Sequence, residues 1–463
     1  MTASAGHDRF RVRESPLTVA LRDPNHRATY SLFWAVHVIV QMVTCFHYYF
    51  DRDLMYRDLE MMVRFFHNVH IMFLMEAVCL SVFALILLPS TIWWRRRVLP
   101  LPIYGLIVSG TLVAGAVTPV LLAHSFRLHL VLKVATSAQH LRYIFKMISF
   151  VVENGNEVER NSKQKATASQ EDINNNANCQ QDEVLVDDAA GKKGRETNPS
   201  LGTLTYFWFA PTLIYQHSYP RSEGSIRWTA ALQHILTFLA CVPAGVVACR
   251  MTISAFEGVG KEDITTDHLI RMICCCFVIS VLVFMSLGFC FCHCWMNCWA
   301  ELLRFGDRGF YKNYWSAPNA FVWMSLWNQV VQTFIKEYAY KPVARITGNR
   351  LINVFVTILV SALVHDYSIC LFTGFAIWGF FPSIFLVIVP LLPLGFPIYK
   401  LSQRFPLPST NINTFLIFIT SFALMILHAF AEYFARVNCP ESVYGYVSDF
   451  FVPRLLTCAS FKL

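Results

Sequence analysis

The chain has 463 residues, 55% of them hydrophobic and 15% charged, with a mean hydropathy of +0.44. That excludes a water-soluble globular protein of this size and points to a polytopic membrane protein, because several apolar runs reach the length that crosses a bilayer. The net charge of +8 lies mostly in loops between those runs, where it sets orientation or meets an anionic lipid or substrate rather than nucleic acid.

Residues 1–29 are polar and mixed in charge, without the basic, apolar, small-residue order of a cleaved signal peptide, so the first apolar run is expected to stay as an anchor. That run is Tyr30–Phe50, and the second is Val69–Leu88. The second ends at Trp93-Trp94-Arg95-Arg96-Arg97, an interfacial anchor that the positive-inside rule places in the cytosol, as it does the arginines before Tyr30. Leu101–Leu122 is the third span. The fourth, Leu128–Val152, is amphipathic through Lys133, Gln139, His140, Arg142 and Lys146, which need a protein or water-filled surface beside them. Residues 30–153 thus hold four membrane helices. Residues 154–200 lack aromatics and are rich in Asn, Gln, Lys, Asp and Glu, which predicts a disordered cytosolic loop.

Apolar character returns over 201–435. Spans are predicted at Ala230–Ala248, Leu269–His293, Leu351–Phe372, Gly374–Ile398 and Thr414–Tyr433. The fold class is therefore all-α, a bundle of nine transmembrane helices, with a cytosolic N-terminus and a lumenal tail over 436–463. Between the sixth and seventh spans, Glu301–Arg350 mixes Arg304, Arg308, Lys312, Lys336, Lys341 and Arg345 with Trp315, Trp323 and Trp327. That pattern fits an interfacial belt or a cytosolic vestibule for an anionic amphiphile.

The seventh span carries His365 and Asp366 deep in an apolar run. A charged group there is costly, so it faces a bundle interior or a wet cavity. Histidine is also the side chain whose ordinary pKa suits proton transfer near neutrality. Asp366, one residue on, points to a different helix face and is no obvious orienter of the imidazole. Cys290, Cys292, Cys294 and Cys298 around His293 do not have zinc-site spacing, so no metal is expected.

Several motifs in order resemble the sterol O-acyltransferases of the membrane-bound O-acyltransferase superfamily. They are Phe209-Ala210-Pro211-Thr212-Leu213-Ile214-Tyr215 with Ser218-Tyr219-Pro220-Arg221, His293-Cys294-Trp295-Met296-Asn297, Phe305-Gly306-Asp307-Arg308, Trp327-Asn328 and Ser361-Ala362-Leu363-Val364-His365-Asp366-Tyr367. The resemblance implies a helical bundle enclosing a reaction chamber. In it a fatty acyl group passes from acyl-CoA to the 3-hydroxyl of a sterol in the endoplasmic reticulum membrane. No cofactor is implied, since acyl-CoA is the donor substrate, and the family resemblance implies a homo-oligomer. Catalysis falls to His365 as base and to Asn328. The candidate substrate-binding residues are Arg304, Phe310, Tyr311, Lys312, Asn313, Trp315, Trp327 and Lys341.

The family's Phe-Tyr-x-Asp-Trp-Trp-Asn motif reads Phe310-Tyr311-Lys312-Asn313-Tyr314-Trp315-Ser316 here, and Gln332 stands where a His usually follows the Trp-Asn pair. Other acceptors, diacylglycerol above all, and a catalytically weakened sterol- or acyl-CoA-binding relative therefore stand as alternatives. Cys439 and Cys458 are the two Cys of the tail, and the sterol branch has a matching pair that the resemblance implies is bridged. A lumenal tail is oxidising enough for such a bond, and two free thiols are the alternative.

Overall fold

The computed structural model describes residues 10–126, 128–178, 198–317, 320–373, 409–439, 452–458 and 461–462. Among these, seven helical stretches are long and apolar enough to cross a membrane: Pro24–Phe50, Arg52–Arg95, Leu101–Ala123, Trp228–Phe256, Thr266–Val283, Arg350–Leu371 and Phe418–Asn438. Each overlaps one expected span. The expected fourth span lies on a helix whose polar groups keep it out of that set. The eighth, Gly374–Ile398, lies outside the described residues.

A short helix α1 (Pro16–Ala20) leads into α2 (Pro24–Phe50). Asp23 caps α2 by accepting from the Asn25 backbone at 2.8 Å, and Pro24 sits in the first turn, where its missing N–H is not needed. Then come α3 (Arg52–Phe65), α4 (Val69–Val82), a π turn (Phe83–Leu87), α5 (Leu88–Arg95) and α6 (Leu101–Ser125). Helix α7 (Leu130–Asn178) is the longest described. Where the sequence predicts a disordered loop over 154–200, this helix runs on through Asn178, while residues 179–197 lie outside the described residues. Its extension is built from helix formers such as Glu157, Glu159, Arg160 and Lys163, and Lys163 reaches Glu159 one turn back at 2.6 Å. Such a composition precludes a packed core but not a solvated helix.

After α8 (Leu201–Phe209), whose Ser200 and Thr203 form a capping box, the chain forms α9 (Trp228–Ala240), α10 (Val242–Phe256) and α11 (Thr266–Gly288). A second π turn (Phe289–Trp295) joins α11 to α12 (Met296–Leu302). The aromatic, basic stretch breaks into α13 (Ala320–Leu326), α14 (Gln329–Ile335), a third π turn (Lys336–Tyr340) and α15 (Lys341–Thr347). Helices α16 (Arg350–Thr373), α17 (Ser409–Asn438) and α18 (Arg454–Cys458) follow. The described strands are β1 (Ile264–Thr265) and β2 (Phe461–Lys462), paired in parallel.

Two apolar centres organise the packing. In the first, Phe83 and Leu87 of the π turn meet Tyr143, Met147 and Phe150 of α7, Phe207 and Trp208 of α8, and Phe305 and Phe310. In the second, Phe256, Met272, Cys276 and Ile279 meet Ala423, Ile426 and Phe434 of α17. There the Ser280 hydroxyl also donates to the Ile419 carbonyl at 2.8 Å.

The tail is pinned to α17. The buried Glu432 carboxylate accepts from the Arg454 and Leu455 backbone at 2.8 and 3.0 Å and from Arg436 at 2.6 Å. Cys439 and Cys458 lie together as a disulfide pair, with Cα atoms 6.4 Å apart and 19 residues of separation. Both sulfurs crowd Gly260, whose φ of +83° suits glycine and where an added Cβ would lie 3.1 and 3.3 Å from them. Peptide mapping without reductant is expected to recover a Cys439–Cys458 cross-link. Replacing Cys439 by Ser is expected to cost about 3 kcal/mol of stability in the chain-entropy picture. Full alkylation of both thiols in the unreduced protein would contradict the pairing.

Candidate active site

Helix α16 is an apolar rod with one imidazole on it. Val364, just before His365, packs against a cluster of Phe145, Leu213, Ile214 and Phe334, against which Val330 and Val331 of α14 also pack. Two residues past His365, the Tyr367 hydroxyl donates to the Ala116 carbonyl of α6 at 2.9 Å and fixes the rotation of the helix. His365 itself is exposed at the helix surface. Asp366 is buried, on another face of the helix.

The ring is oriented by its own helix. His365 Nδ1 lies 2.7 Å from the Ser361 carbonyl oxygen, one turn back. A carbonyl only accepts, so Nδ1 carries the proton and Nε2 is the basic nitrogen of the neutral ring. The helix thus selects the tautomer that a general base needs.

Asn328 sits at the N-terminus of α14 in a left-handed conformation, φ +34° and ψ +71°. Asn tolerates that region better than most residues. Its Oδ1 accepts from the Val331 backbone at 3.2 Å, which fixes the amide's orientation and leaves Nδ2 outside that bond. Two backbone bonds bracket the turn: Lys312 N–H donates to the Leu326 carbonyl at 2.9 Å, and Gln329 N–H to the Phe310 carbonyl at 2.7 Å. Trp327 stacks on Trp323 with ring centres 4.9 Å apart and meets Tyr314 edge-on at 5.0 Å. Its indole presses on Gly288 of α11, where a Cβ would collide with the ring. Gln332 cannot accept a proton; its Nε2 donates to the Met324 carbonyl at 2.6 Å and closes the end of α13.

The Phe305–Tyr311 block is held by ion pairs to the buried carboxylates of Glu301 and Asp307. Glu301 pairs with Arg308 and Arg227, and Asp307 with Arg13. Burial alone would raise the Glu301 pKa, but the hydrogen bonds and charges of Arg308 and Arg227 outweigh it and lower the pKa below the usual carboxylate range.

Helix α7 supplies the scaffold for the loop after α8. Arg142 and Lys146 donate to the Trp208, Phe207 and Ala210 carbonyls, so two cations satisfy the C-terminal carbonyls of α8. The Ser149 hydroxyl accepts from the Tyr215 backbone at 2.7 Å, and Glu153 from the Tyr338 hydroxyl at 2.9 Å. Glu157 binds Arg95 at 2.7 Å and His217 at 2.8 Å. The polar face foreseen on this helix is met by protein groups along one stripe.

Burial pushes the Glu157 carboxyl upward, but His217 and Arg95 outweigh that and bring its pKa down to about 2. A carboxylate whose folded pKa is depressed stabilises fully above its unfolded pKa, and the gain is lost as pH falls through the folded value. Glu157→Gln is therefore expected to lower the unfolding temperature at pH 7, because it leaves the buried Arg95 poorly paired. The wild-type advantage should fade only as pH falls below about 4.5. Thermal unfolding of both proteins across that range checks it.

The other candidate residues divide into support and surface. Phe310 and Tyr311, expected to touch substrate, are core residues, 2% and 3% exposed. An aromatic pair beside a basic run reads as a binding surface in sequence, but here the Tyr311 hydroxyl is consumed by His293 at 2.8 Å and Ser15 at 3.1 Å. Arg304 is left-handed (φ +53°) and donates to the Ser222 carbonyl at 2.9 Å, tying down the loop after Arg221. Lys341 pairs with Glu337 at 2.6 Å. Lys312 and Asn313 are exposed, and Trp315 is half-buried between Tyr311, Tyr314 and His26. The structure adds residues 10–17, which lie along the Phe305–Tyr311 block. Their sequence signal is weak: Phe10, Val12 and Leu17 are apolar residues scattered among charged and polar ones. Among the described residues no His, Cys, Asp or Glu cluster has metal-site geometry.

The model of MBOAT, the membrane-bound O-acyltransferase family, matches residues 24–429. Sterol O-acyltransferase 2 of Rattus norvegicus is 32% identical over 259 residues, covering 54% of this chain and 47% of that protein. The Homo sapiens protein of the same name is 30% identical over 269 residues, covering 56% and 49%. Sterol O-acyltransferase 1 of Macaca fascicularis is 28% identical over 324 residues, covering 69% and 52%. The chain thus spans about half the length of the curated relatives it matches.

Proposed function

Because the chain belongs to the membrane-bound O-acyltransferase family, we propose that it transfers a long-chain fatty acyl group from acyl-CoA to the 3-hydroxyl of a sterol. The observation that carries this reading is His365: an imidazole exposed at the surface of an apolar helix, with Nδ1 held by the Ser361 carbonyl. A hydroxyl is a poor nucleophile until a base takes its proton. In the proposed step His365 Nε2 removes the sterol proton as the oxygen attacks the thioester carbonyl carbon. Asn328 Nδ2 donates to the oxygen that becomes negative. The carbon–sulfur bond then breaks, the ester leaves as product, and the imidazolium returns its proton to the CoA sulfur. Burial within the bilayer keeps out water that would hydrolyse the thioester.

In this reading the arginine-rich ends at Arg95–Arg97 and the basic Glu301–Arg350 stretch face the cytosol, where acyl-CoA arrives, and the tail from Arg436 faces the lumen of the endoplasmic reticulum. The working form is a homo-oligomer.

The test is an acceptor panel. Membranes carrying the protein receive labelled oleoyl-CoA with cholesterol, diacylglycerol or a long-chain alcohol. Steryl ester is the expected product. Triacylglycerol as the main product would replace the sterol reading with a diacylglycerol one. Tight oleoyl-CoA binding with no ester from any acceptor would support the weakened relative that Asn313 and Gln332 leave open.

A further inference from the structure

We propose that residues 10–17, which precede the residues matched by the family, are a positioning strap for Asn328; the inference rests on the acyl-transfer reading above. The strap is bound along its length. Arg13 N–H donates to the Gly306 carbonyl at 3.0 Å, and Arg308 N–H to the Arg13 carbonyl at 3.4 Å. The Arg13 guanidinium pairs with Asp307, a carboxylate only 4% exposed, which also accepts from the Arg11 and Gly309 backbone at 3.3 and 3.1 Å. Gly309 is what lets Arg13 lie there, because a Cβ at that position would fall on the guanidinium. Phe10 is wedged edge-on between the rings of Tyr219, at 5.4 Å, and Phe305, at 6.0 Å.

The strap then reaches the site through one hydroxyl. The buried Ser15 lies 3.1 Å from the Tyr311 hydroxyl, and Leu17 N–H donates to the same oxygen at 3.3 Å. His293 Nδ1, at 2.8 Å, completes its surroundings. The residues on either side of Tyr311 make the two backbone bonds that bracket Trp327–Asn328, from Gln329 to Phe310 and from Lys312 to Leu326. Strap, Tyr311 and bracket therefore form one contiguous path to an Asn held at φ +34°. A donor aimed at a developing oxyanion depends steeply on such placement, and a misplacement of about 1 Å can cost about a hundredfold in rate. Arg13 and Ser15 act through other groups, so they are positioning residues.

The experiment uses the full chain and steady-state kinetics with oleoyl-CoA and cholesterol. Arg13→Ala and Gly309→Ala are each expected to lower kcat about tenfold, with the KM for oleoyl-CoA within about twofold of wild type. Both changes remove the same contact, so the double variant should be no slower than either single one. Ser15→Ala should show the same split between kcat and KM, and Ser15→Thr, which keeps the hydroxyl, should restore turnover. Unfolding temperatures of all variants are measured alongside.

Single variants with kcat within about twofold of wild type at normal yield would overturn the strap, as would losses that multiply in the double variant. A fall in kcat that only follows unfolding temperature, with Ser15→Thr no better than Ser15→Ala, would do the same. Asn328→Asp run in parallel separates the two claims. If it is slow while the strap variants are normal, only the strap fails; if it turns over normally, the role of Asn328 fails and takes the strap with it.

Discussion

Replacing His365 by Ala is expected to abolish steryl ester formation while leaving insertion and yield intact. General-base catalysis contributes about a hundredfold to ten-thousandfold. Nothing nearby in α16 substitutes for it, because Asp366 faces another side of the helix and is buried. The hydrogen bond from its Nδ1 to the Ser361 carbonyl lies within the same helix, so removing the ring should leave the packing of Val364 and the Tyr367–Ala116 bond in place. His365→Gln should be equally slow, since an amide donates and accepts but does not take up a proton near neutrality. Activity of either variant within about threefold of wild type, far less than the loss of a general base costs, would sink the assignment.

The second large effect concerns Asn328. Loss of one oxyanion donor typically costs about a hundredfold to a thousandfold in turnover. Ala at this position would also remove the cap on Val331, worth about 1 kcal/mol, and strain the left-handed backbone. Asn328→Asp separates the effects. A carboxylate still accepts from Val331, tolerates the same conformation and favours a helix N-terminus, yet it lacks the Nδ2 donor. Turnover is therefore expected to fall about a hundredfold or more with an unchanged unfolding temperature. If Asp is harmless to turnover and Ala lowers only stability, Asn328 is a cap and nothing more.

The spans and the histidine proposed as base stand out in the sequence for the same reason. An apolar run of bilayer length is a strong signal, and a His inside one stands out against it. Asn328 was legible only through the Trp327-Asn328 motif, because its left-handed turn depends on backbone bonds to Phe310 and Lys312 that no local pattern announces. Phe310 and Tyr311 were named as substrate-binding residues by resemblance; their burial was not legible, because hydropathy cannot tell a buried tyrosine from an exposed one until its hydroxyl partners are known. Two of those partners, Ser15 and Leu17, lie more than 290 positions away. The helical start of the 154–200 segment was missed because low hydropathy was read as disorder, although i,i+4 charge pairs such as Glu159–Lys163 support a solvated helix. On α7 the polar residues were noticed but their partners were not, since the carbonyls of Phe207, Trp208 and Ala210 acquire their need for donors only once α8 ends there.

The proposed reaction is a one-for-one transfer of acyl groups within the bundle. Its most direct test is the stoichiometry of the purified wild-type protein supplied with labelled oleoyl-CoA and cholesterol, with free CoA thiol and steryl ester measured in the same sample. The account predicts one ester for each thiol released, and neither from His365→Ala. Thiol released without ester would make the protein a thioesterase. A well-folded preparation that releases no thiol with any lipid alcohol would contradict the transferase outright.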